Sequence, residues 1–328
     1  MALGLGNYAV AIPGIVMSAR NGDPRAKYVL SGFYRSGLFG LPKDISKANI
    51  LDKEAVDEFM RNAEKGDAVA KYWLGEAYLQ GTNELGKDID LGVNLIHESA
   101  IQGPAYAQFR VSELYSEGKH VGKDIAEAIG WLKKATEQGY PSAQVRLAMR
   151  YNYGHGLIKD DAMAVRLLRM AVEQDNPSAH WELGKLYCEG RGVPRIPVEA
   201  IRRYHLAAKI SPVYAWFLAM DYEIDLSGDS ECVGYNLDQS ARLFLKAAEM
   251  SWGVWGTEDL GGMYAEARGL AHDDVRAHMW LSIAIDRVGG GERVVKKLVD
   301  VEKRMTPSQV VRAKDLAREW LDNHSVIR

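Results

Sequence analysis

Residues 107–139 read AQFRVSELYSEGKHVGKDIAEAIGWLKKATEQG, and this stretch decides the fold. Small, apolar and aromatic residues recur in it at positions i, i+4, i+5 and i+8, which places them on one stripe of a helix. Gly118 is placed to end this helix, and Asp124 is placed to cap a second one. The stretch therefore predicts a pair of helices. We expect the second helix to bury Ala128, Trp131, Leu132 and Ala135.

The same pattern recurs along the chain at intervals of about 36 residues. Four successive steps, from Tyr78 to Tyr222, are 37, 36, 36 and 35 residues long. A unit of this length cannot bury its own apolar face, so neighbouring units must stack. The sequence therefore predicts an all-α solenoid of about six to seven helix pairs. The tyrosine of the pattern falls at Tyr34, Tyr78, Tyr115, Tyr151, Tyr187, Tyr222 and Tyr264.

The ends of the chain depart from the repeat. We expect an N-terminal segment over 1–22, the solenoid over 23–288 and capping helices over 289–328. Thr306 and Pro307 are a helix start, with threonine as the N-cap and proline in the first helical position. A polar-backed final helix lets an array end without exposing an apolar face. Its inward residues are predicted to be Val310, Val311, Leu316 and Trp320.

Two repeats are longer than the others. The spacing between the first and last alanines of the first repeat predicts an insertion from Gly37 to Asn49. A second insertion is predicted from Ile224 to Asn236. Insertions in a repeat array map to one edge, which is often a binding edge. A tolerated surface loop is the alternative, because lengthening a loop costs little free energy.

The charge of the chain excludes several classes of partner. Its formal net charge is −3, and acidic and basic residues are interspersed. Because there is no basic tail or block, we expect neither nucleic acid nor an anionic membrane as a partner. The apolar stretches are far shorter than the ~20 residues that a membrane span needs, so no transmembrane segment is predicted.

The N-terminus and the two cysteines bear on localisation. Residues 1–11 read MALGLGNYAVA and end in the A-x-A form of a signal-peptidase site. A frayed first helix is the alternative, because no basic residue precedes this short run.

Stacking could bring Cys188 and Cys232 within the ~6 Å Cα separation of a disulfide. A buried Cys188 with an unpaired loop thiol is the other possibility. Export would favour the bond, and we favour the periplasm over the cytoplasm.

The repeat resembles the Sel-one-like repeat (SLR) family, a relative of the tetratricopeptide arrays. The loop Gly190-Arg191-Gly192-Val193 matches its G-x-G-V motif, whereas the unit around Tyr222 lacks that loop and Gly256 replaces the first alanine of the last unit. The resemblance implies a right-handed superhelix of antiparallel helix pairs, adaptor roles in protein complexes and no catalytic residues. Some similar proteins neutralise toxins. The match is clearest in Ala70–Gly103, Ala107–Gly139, Ala143–Asn176 and Ala179–Ile210.

The sequence offers no site for chemistry. The histidines show no H-E-x-x-H spacing, and there is no phosphate-binding or nucleophile-elbow motif. We therefore predict no catalytic residue, no metal and no cofactor. A hydrolase would need a cluster of titratable residues in a pocket, which the sequence does not provide.

Two columns on the first helices are candidates for binding a protein. By analogy with tetratricopeptide arrays, the positions two and six residues after the first alanine face a concave groove. An aromatic ladder bordered by charges suits a protein interface, although aromatic residues at helical spacing also pack between helices. The predicted partner-binding residues are Tyr72, Phe109, Trp181 and Trp216 in the first column, and Glu76, Glu113, Lys185 and Met220 in the second.

These observations predict a non-enzymatic adaptor that binds one protein partner along its concave face. The alternative is an exported immunity or inhibitor protein that blocks a secreted bacterial toxin or effector. It rests on the A-x-A terminus, the cysteine pair and the analogy with the family. The identity of the partner and the oligomeric state do not follow from the sequence.

Overall fold

The computed structural model describes residues 5–37, 40–81, 85–223, 232–251, 253–289 and 291–324. These residues form seventeen α-helices and no strand, as the repeat predicts. The helices are α1 (Leu5–Arg20), α2 (Pro24–Ser36), α3 (Ile45–Glu64), α4 (Ala68–Gln80), α5 (Ile89–Gln102), α6 (Ala105–Glu117), α7 (Ile125–Glu137), α8 (Pro141–Tyr153), α9 (Asp161–Val172), α10 (Pro177–Glu189), α11 (Pro197–Ile210), α12 (Pro212–Glu223), α13 (Leu237–Met250), α14 (Thr257–Glu266), α15 (Asp274–Val288), α16 (Glu292–Glu302) and α17 (Pro307–Asn323).

The helices pack as seven consecutive pairs, from α2 with α3 to α14 with α15. Each second helix also contacts the first helix of the following pair. This neighbour-to-neighbour packing is that of a solenoid, so the predicted all-α solenoid is confirmed. At the N-terminal end α1 packs on α2 and also touches α12, and at the other end α16 and α17 pack on α15.

One backbone hydrogen bond closes the loop inside every pair, and in most pairs cap residues add to it. In the third pair, Gly118 adopts a left-handed conformation with φ of 67°, and its N–H donates to Leu114 O. Asp124 then caps α7 by accepting from the backbone N–H groups of Ala126 and Glu127. Both predictions from the sequence are therefore confirmed. The backbone N–H of Asp124 donates to Tyr115 O at 3.0 Å, and the corresponding bond to the repeat tyrosine forms in all seven pairs.

The predicted insertion from Gly37 to Asn49 is wrong. Asp44 caps α3, and Ala55, which is fully buried, follows it by eleven residues. Ala135 follows the cap Asp124 by the same eleven residues, so Ala55 is the equivalent alanine. The additional length lies in α3, which continues past Ala55 to Glu64. The second predicted insertion, from Ile224 to Asn236, lies largely outside the described residues.

The final helix packs through small residues. Thr306 and Gln309 form a capping box with Pro307 in the first turn, so the predicted helix start is confirmed. Ala313 and Ala317 are buried, and the Trp320 ring lies 5.6 Å from that of Trp280. Val311 was predicted to face inward, but it is 59% exposed. Ala313 is on the packed stripe, and Val311, two residues earlier, lies about 200° around the helix from it.

Cys188 and Cys232 form a disulfide with a Cα–Cα separation of 5.6 Å. Cys188 lies near the end of α10, and Cys232 follows the segment 224–231, which is outside the described residues. Both cysteines pack in the same apolar cluster as Tyr222 and Val233. The bond therefore links the fifth helix pair to the connection between α12 and α13.

The small residue five positions after the first alanine lets paired helices approach closely, as the sequence predicts. At Gly75 in α4, an added Cβ would lie 2.7 Å from the backbone O of Gly92 and 2.7 Å from Cγ1 of Ile96, both in α5. A backbone carbonyl in a packed helix cannot move away cheaply. This position therefore sets the distance between α4 and α5.

We expect Gly75→Ala to lower the free energy of unfolding by about 2 kcal/mol, because the added methyl group overpacks this contact. Gly130→Ala is the matched control, since a Cβ there meets nothing within 4 Å and Gly130 lies inside helix α7. This control should gain about 0.5–1 kcal/mol from helix propensity alone. Urea unfolding followed by circular dichroism measures both values. Equal shifts for the two variants would contradict the close approach.

Candidate functional site

Side chains of successive first helices meet along one surface of the solenoid, which we call the first-helix face. It is formed by α4, α6, α8, α10 and α12. Glu76 on α4 bonds to Arg110 on α6, and Glu113 on α6 lies beside Arg146 on α8. This is the face that the sequence predicts to line a groove.

The first predicted column is mostly inside the protein, which corrects its assignment to the groove surface. Tyr72 is 8% exposed and Phe109 is 3% exposed. Tyr72 packs edge-on against Tyr106 at 4.8 Å, and Phe109 packs against Tyr140 at 5.5 Å, both rings of the next repeat. These two aromatics therefore hold repeats together and offer no surface to a partner.

Helix geometry explains this burial. The first alanine, at position i, and the residues at i+4, i+5 and i+8 occupy an arc of about 140°. Position i+2 lies about 60° beyond that arc, against the following repeat, whereas i+3 and i+6 point away from it, at about 300° and 240°. The residue pairs at these two positions from α4 to α12 are Trp73 and Glu76, Arg110 and Glu113, Arg146 and Met149, Glu182 and Lys185, and Phe217 and Met220, and Glu76 is the buried member of the set.

The α4–α8 part of the face is a ladder of ion pairs. Arg110 Nε donates to Glu76 Oε1 at 2.6 Å, and its Nη1 lies 3.5 Å from Glu113. Burial opposes the charge on Arg110, but Glu76 and Glu113 hold its pKa above the usual value. Burial raises the pKa of Glu113, although Arg110 and Arg146 both lie beside it. The predicted residues Glu76 and Glu113 thus stabilise the stack, with Glu76 itself buried.

The α10–α12 part of the face carries aromatic rings. We define the aromatic patch as Trp181, Tyr214, Trp216, Phe217 and Met220. Phe217 is 42% exposed and lies 6.0 Å from Trp181 and 5.3 Å from Trp216, measured between ring centroids. Met220 is 38% exposed one turn further along α12. Three predicted residues, Trp181, Trp216 and Met220, are therefore brought together around Phe217.

Polar groups border the aromatic patch. Trp216 Nε1 donates to Asp259 Oδ2 at 2.8 Å, and burial raises the pKa of that carboxyl group. The predicted residue Lys185 is half-buried and pairs with Glu182 at 2.8 Å. An exposed apolar centre with a paired polar rim is the arrangement found at protein interfaces.

Sequence reasoning missed Phe217, although its signal was present. It occupies position i+3 of α12, where the preceding repeats carry Glu182, Arg146 and Arg110. The column is charged in the three preceding repeats, so an aromatic residue at this position of α12 indicates a contact surface. Trp73 is the aromatic residue at this position of α4, but its ring packs on Tyr28 and Phe59.

The described part of the chain has neither a metal cluster nor a membrane-spanning helix. No group of three or more His, Cys, Asp and Glu side chains among these residues is placed to hold a metal ion. None of the described helices combines the length and apolar character that crossing a bilayer requires.

Comparison with known proteins identifies the repeat. A sequence model of the Sel1 repeat matches seven segments of the chain, which confirms the resemblance seen in the sequence. No curated protein gives a significant match. The matched segments are residues 24–51, 68–104, 105–140, 141–176, 177–210, 215–252 and 258–287.

Of three solved structures that are similar to this chain, one supports the fold. A Sel1 repeat protein from Oxalobacter formigenes is 25% identical with a TM-score of 0.56, and the match covers 88% of this chain and 78% of that one. The immunity protein Pa5087 from Pseudomonas aeruginosa is 17% identical with a TM-score of 0.49, covering 69% and 81%. The protective antigen c5321 from uropathogenic Escherichia coli is 20% identical with a TM-score of 0.39, covering 96% and 87%. Only the first of these similarities is close enough to support the fold.

Proposed function

The chain belongs to the Sel1 repeat family, whose members are protein-interaction scaffolds, and we propose that it is a non-enzymatic adaptor that binds a protein partner on its first-helix face. The aromatic patch is the observation that carries this proposal. Phe217 and Met220 expose apolar surface beside three further rings, and such clusters supply most of the binding energy at protein interfaces.

The charges of the face support a scaffold over an enzyme. Glu76, Glu113 and Glu182 each lie beside a basic side chain of the same face. The pairs of Glu76 and Glu113 join neighbouring repeats, and that of Glu182 lies within α10, so all three carboxylates have a structural role. A binding function needs no more than the exposed patch and its rim.

We expect the double variant Phe217→Ala/Met220→Ala to weaken partner binding by about 30-fold or more, the effect of removing one interface hot spot. Met170→Ala is the matched control, because Met170 is similarly exposed but lies on α9, a second helix. Affinity capture from the native host identifies the partner, and its dissociation constant is then measured with each variant. Unchanged binding by the double variant, with the fold intact, would contradict the proposal.

A second candidate function is that of an exported immunity or inhibitor protein. The Cys188–Cys232 disulfide favours it, because disulfides persist in oxidising compartments. The same capture experiment distinguishes the two candidates. An inhibitor would bring down a secreted enzyme whose activity falls on binding, whereas an adaptor would bring down components of a larger assembly.

A further inference from the structure

A cleft of about 550 Å³ lies where α8 meets the loops that follow α6 and α8. Its walls carry four basic side chains and no acidic one. The apolar part of its lining comes from Ile125, Met149 and the exposed ring of Tyr153. A cavity of this size accommodates an amino-acid side chain with its neighbours. The basic residues are Lys123, Arg146, Arg150 and His155.

Arg150 is the central group of this cleft, which we call the cationic cleft. It is only 9% exposed, and two neutral acceptors hold its guanidinium group in place. Nη2 donates to Ser116 Oγ at 2.6 Å, and Nη1 donates to His155 O at 3.1 Å. Nε is buried and has no hydrogen-bond partner among the described residues.

No carboxylate of the described chain neutralises this arginine. No acidic group contributes to the pKa of Arg150, and no acidic side chain lines the cleft among the residues that the structure describes. Burial and the nearby Arg146 lower the pKa of Arg150. Among the described residues, Arg146 pairs with Glu113 alone, at 3.7 Å, and Glu113 is shared with Arg110. A buried charge without a counterion is costly, so an anion that enters the cleft would recover that free energy.

The cleft continues the first-helix face. Arg146 and Met149 are the i+3 and i+6 residues of α8, the positions that Phe217 and Met220 occupy on α12. Tyr153 lies one turn further along α8, where its ring stacks on His155 at 5.7 Å. A partner lying along this face towards the aromatic patch would therefore pass over the cationic cleft.

We propose that the cationic cleft binds a carboxylate side chain from an acidic peptide segment of the partner protein. This inference rests on the proposed function, because it assigns chemistry to the partner of the same face. Charge complementarity supports a carboxylate as the ligand, because guanidinium groups bind carboxylates through directed, charge-assisted hydrogen bonds. Met149 and Tyr153 supply apolar contact for the residues beside that carboxylate.

The probe is a fluorescein-labelled hexaglutamate peptide, and binding to the full chain is followed by fluorescence anisotropy. Arg150→Met should raise the dissociation constant about tenfold or more, the loss of one charge-assisted hydrogen bond. Lys123→Met should raise it too, and because Lys123 is an exposed loop residue this variant keeps the fold even if Arg150→Met does not. Arg242→Met, which removes an exposed arginine from α13, should bind as the wild type does.

Three results would overturn the assignment. They are the absence of hexaglutamate binding at about 1 mM, equal binding by the folded Lys123→Met and wild-type chains, and displacement of the peptide by inorganic phosphate with equal affinity. The last result would make the cleft a general anion site. A failure of this assignment can be told apart from a failure of the proposed function, because Phe217→Ala leaves the cleft intact. If the native partner depends on Phe217 while hexaglutamate does not bind, only the cleft assignment fails.

Discussion

Glu76→Gln is expected to lower the free energy of unfolding by about 3–5 kcal/mol, because it leaves Arg110 charged inside the protein. The side chain of Glu76 is 5% exposed and that of Arg110 is 17% exposed. Water therefore cannot replace the lost carboxylate at this point of the stack. Glu113 stays near Arg110, but its carboxylate is 3.5 Å from Nη1 and is shared with Arg146. Guanidinium chloride unfolding, monitored by circular dichroism, measures the loss.

The comparison with an exposed pair makes the experiment decisive. Arg242 and Asp238 lie 3.0 Å apart on α13, with their side chains 71% and 62% exposed. Asp238→Asn should therefore cost less than about 1 kcal/mol. The double variant Glu76→Leu/Arg110→Met should recover most of the stability, because apolar groups can replace a buried pair at little cost. A loss for Glu76→Gln no larger than that for Asp238→Asn would contradict this account.

Much of the fold follows from local sequence rules. The period of the tyrosines predicts stacked helix pairs, and cap residues such as Asp124 and Gly118 predict where individual helices start and end. Caps and helix ends are set by residues only a few positions apart in the sequence, so a single sequence is enough to recognise them. The same rules misjudged α3, because two alanines at helical spacing, Ala55 and Ala63, are equally good matches to the end of a repeat.

The site was harder to predict because it depends on which side of a first helix meets the next repeat. Tyr72 and Phe109 have the composition of interface anchors, but the following repeat covers them. Tyr72 and Phe109 occupy position i+2 of their helices, whereas Phe217 occupies position i+3 of α12. Only the position of the following repeat shows that i+3 is the exposed position. The cationic cleft joins residues from α8 and two loops, and no spacing within one repeat brings Lys123 to Arg150.

Reduction of the Cys188–Cys232 disulfide is expected to lower the free energy of unfolding by about 4 kcal/mol, the loop-closure entropy for a separation of 44 residues. The bond spans α11 and α12, so the loss should appear first in these helices. Hydrogen exchange of their amides should therefore accelerate on reduction more than exchange in α4 and α5, far from the bond. The double variant Cys188→Ala/Cys232→Ala provides the reference, because its unfolding should not respond to the reductant.

This measurement also bears on where the protein works. Structural disulfides form and persist mainly in oxidising compartments, so a bond that contributes several kcal/mol to the folded protein favours the exported inhibitor over a cytosolic adaptor. The aromatic patch adjoins the disulfide's cluster, because Trp181 and Trp216 pack against the same apolar cluster that contains Cys188 and Cys232. Reduction should therefore weaken partner binding as α12 loosens, whereas Met170→Ala should not. Identical unfolding of the wild type with and without reductant would contradict both the bond and the support it gives to export.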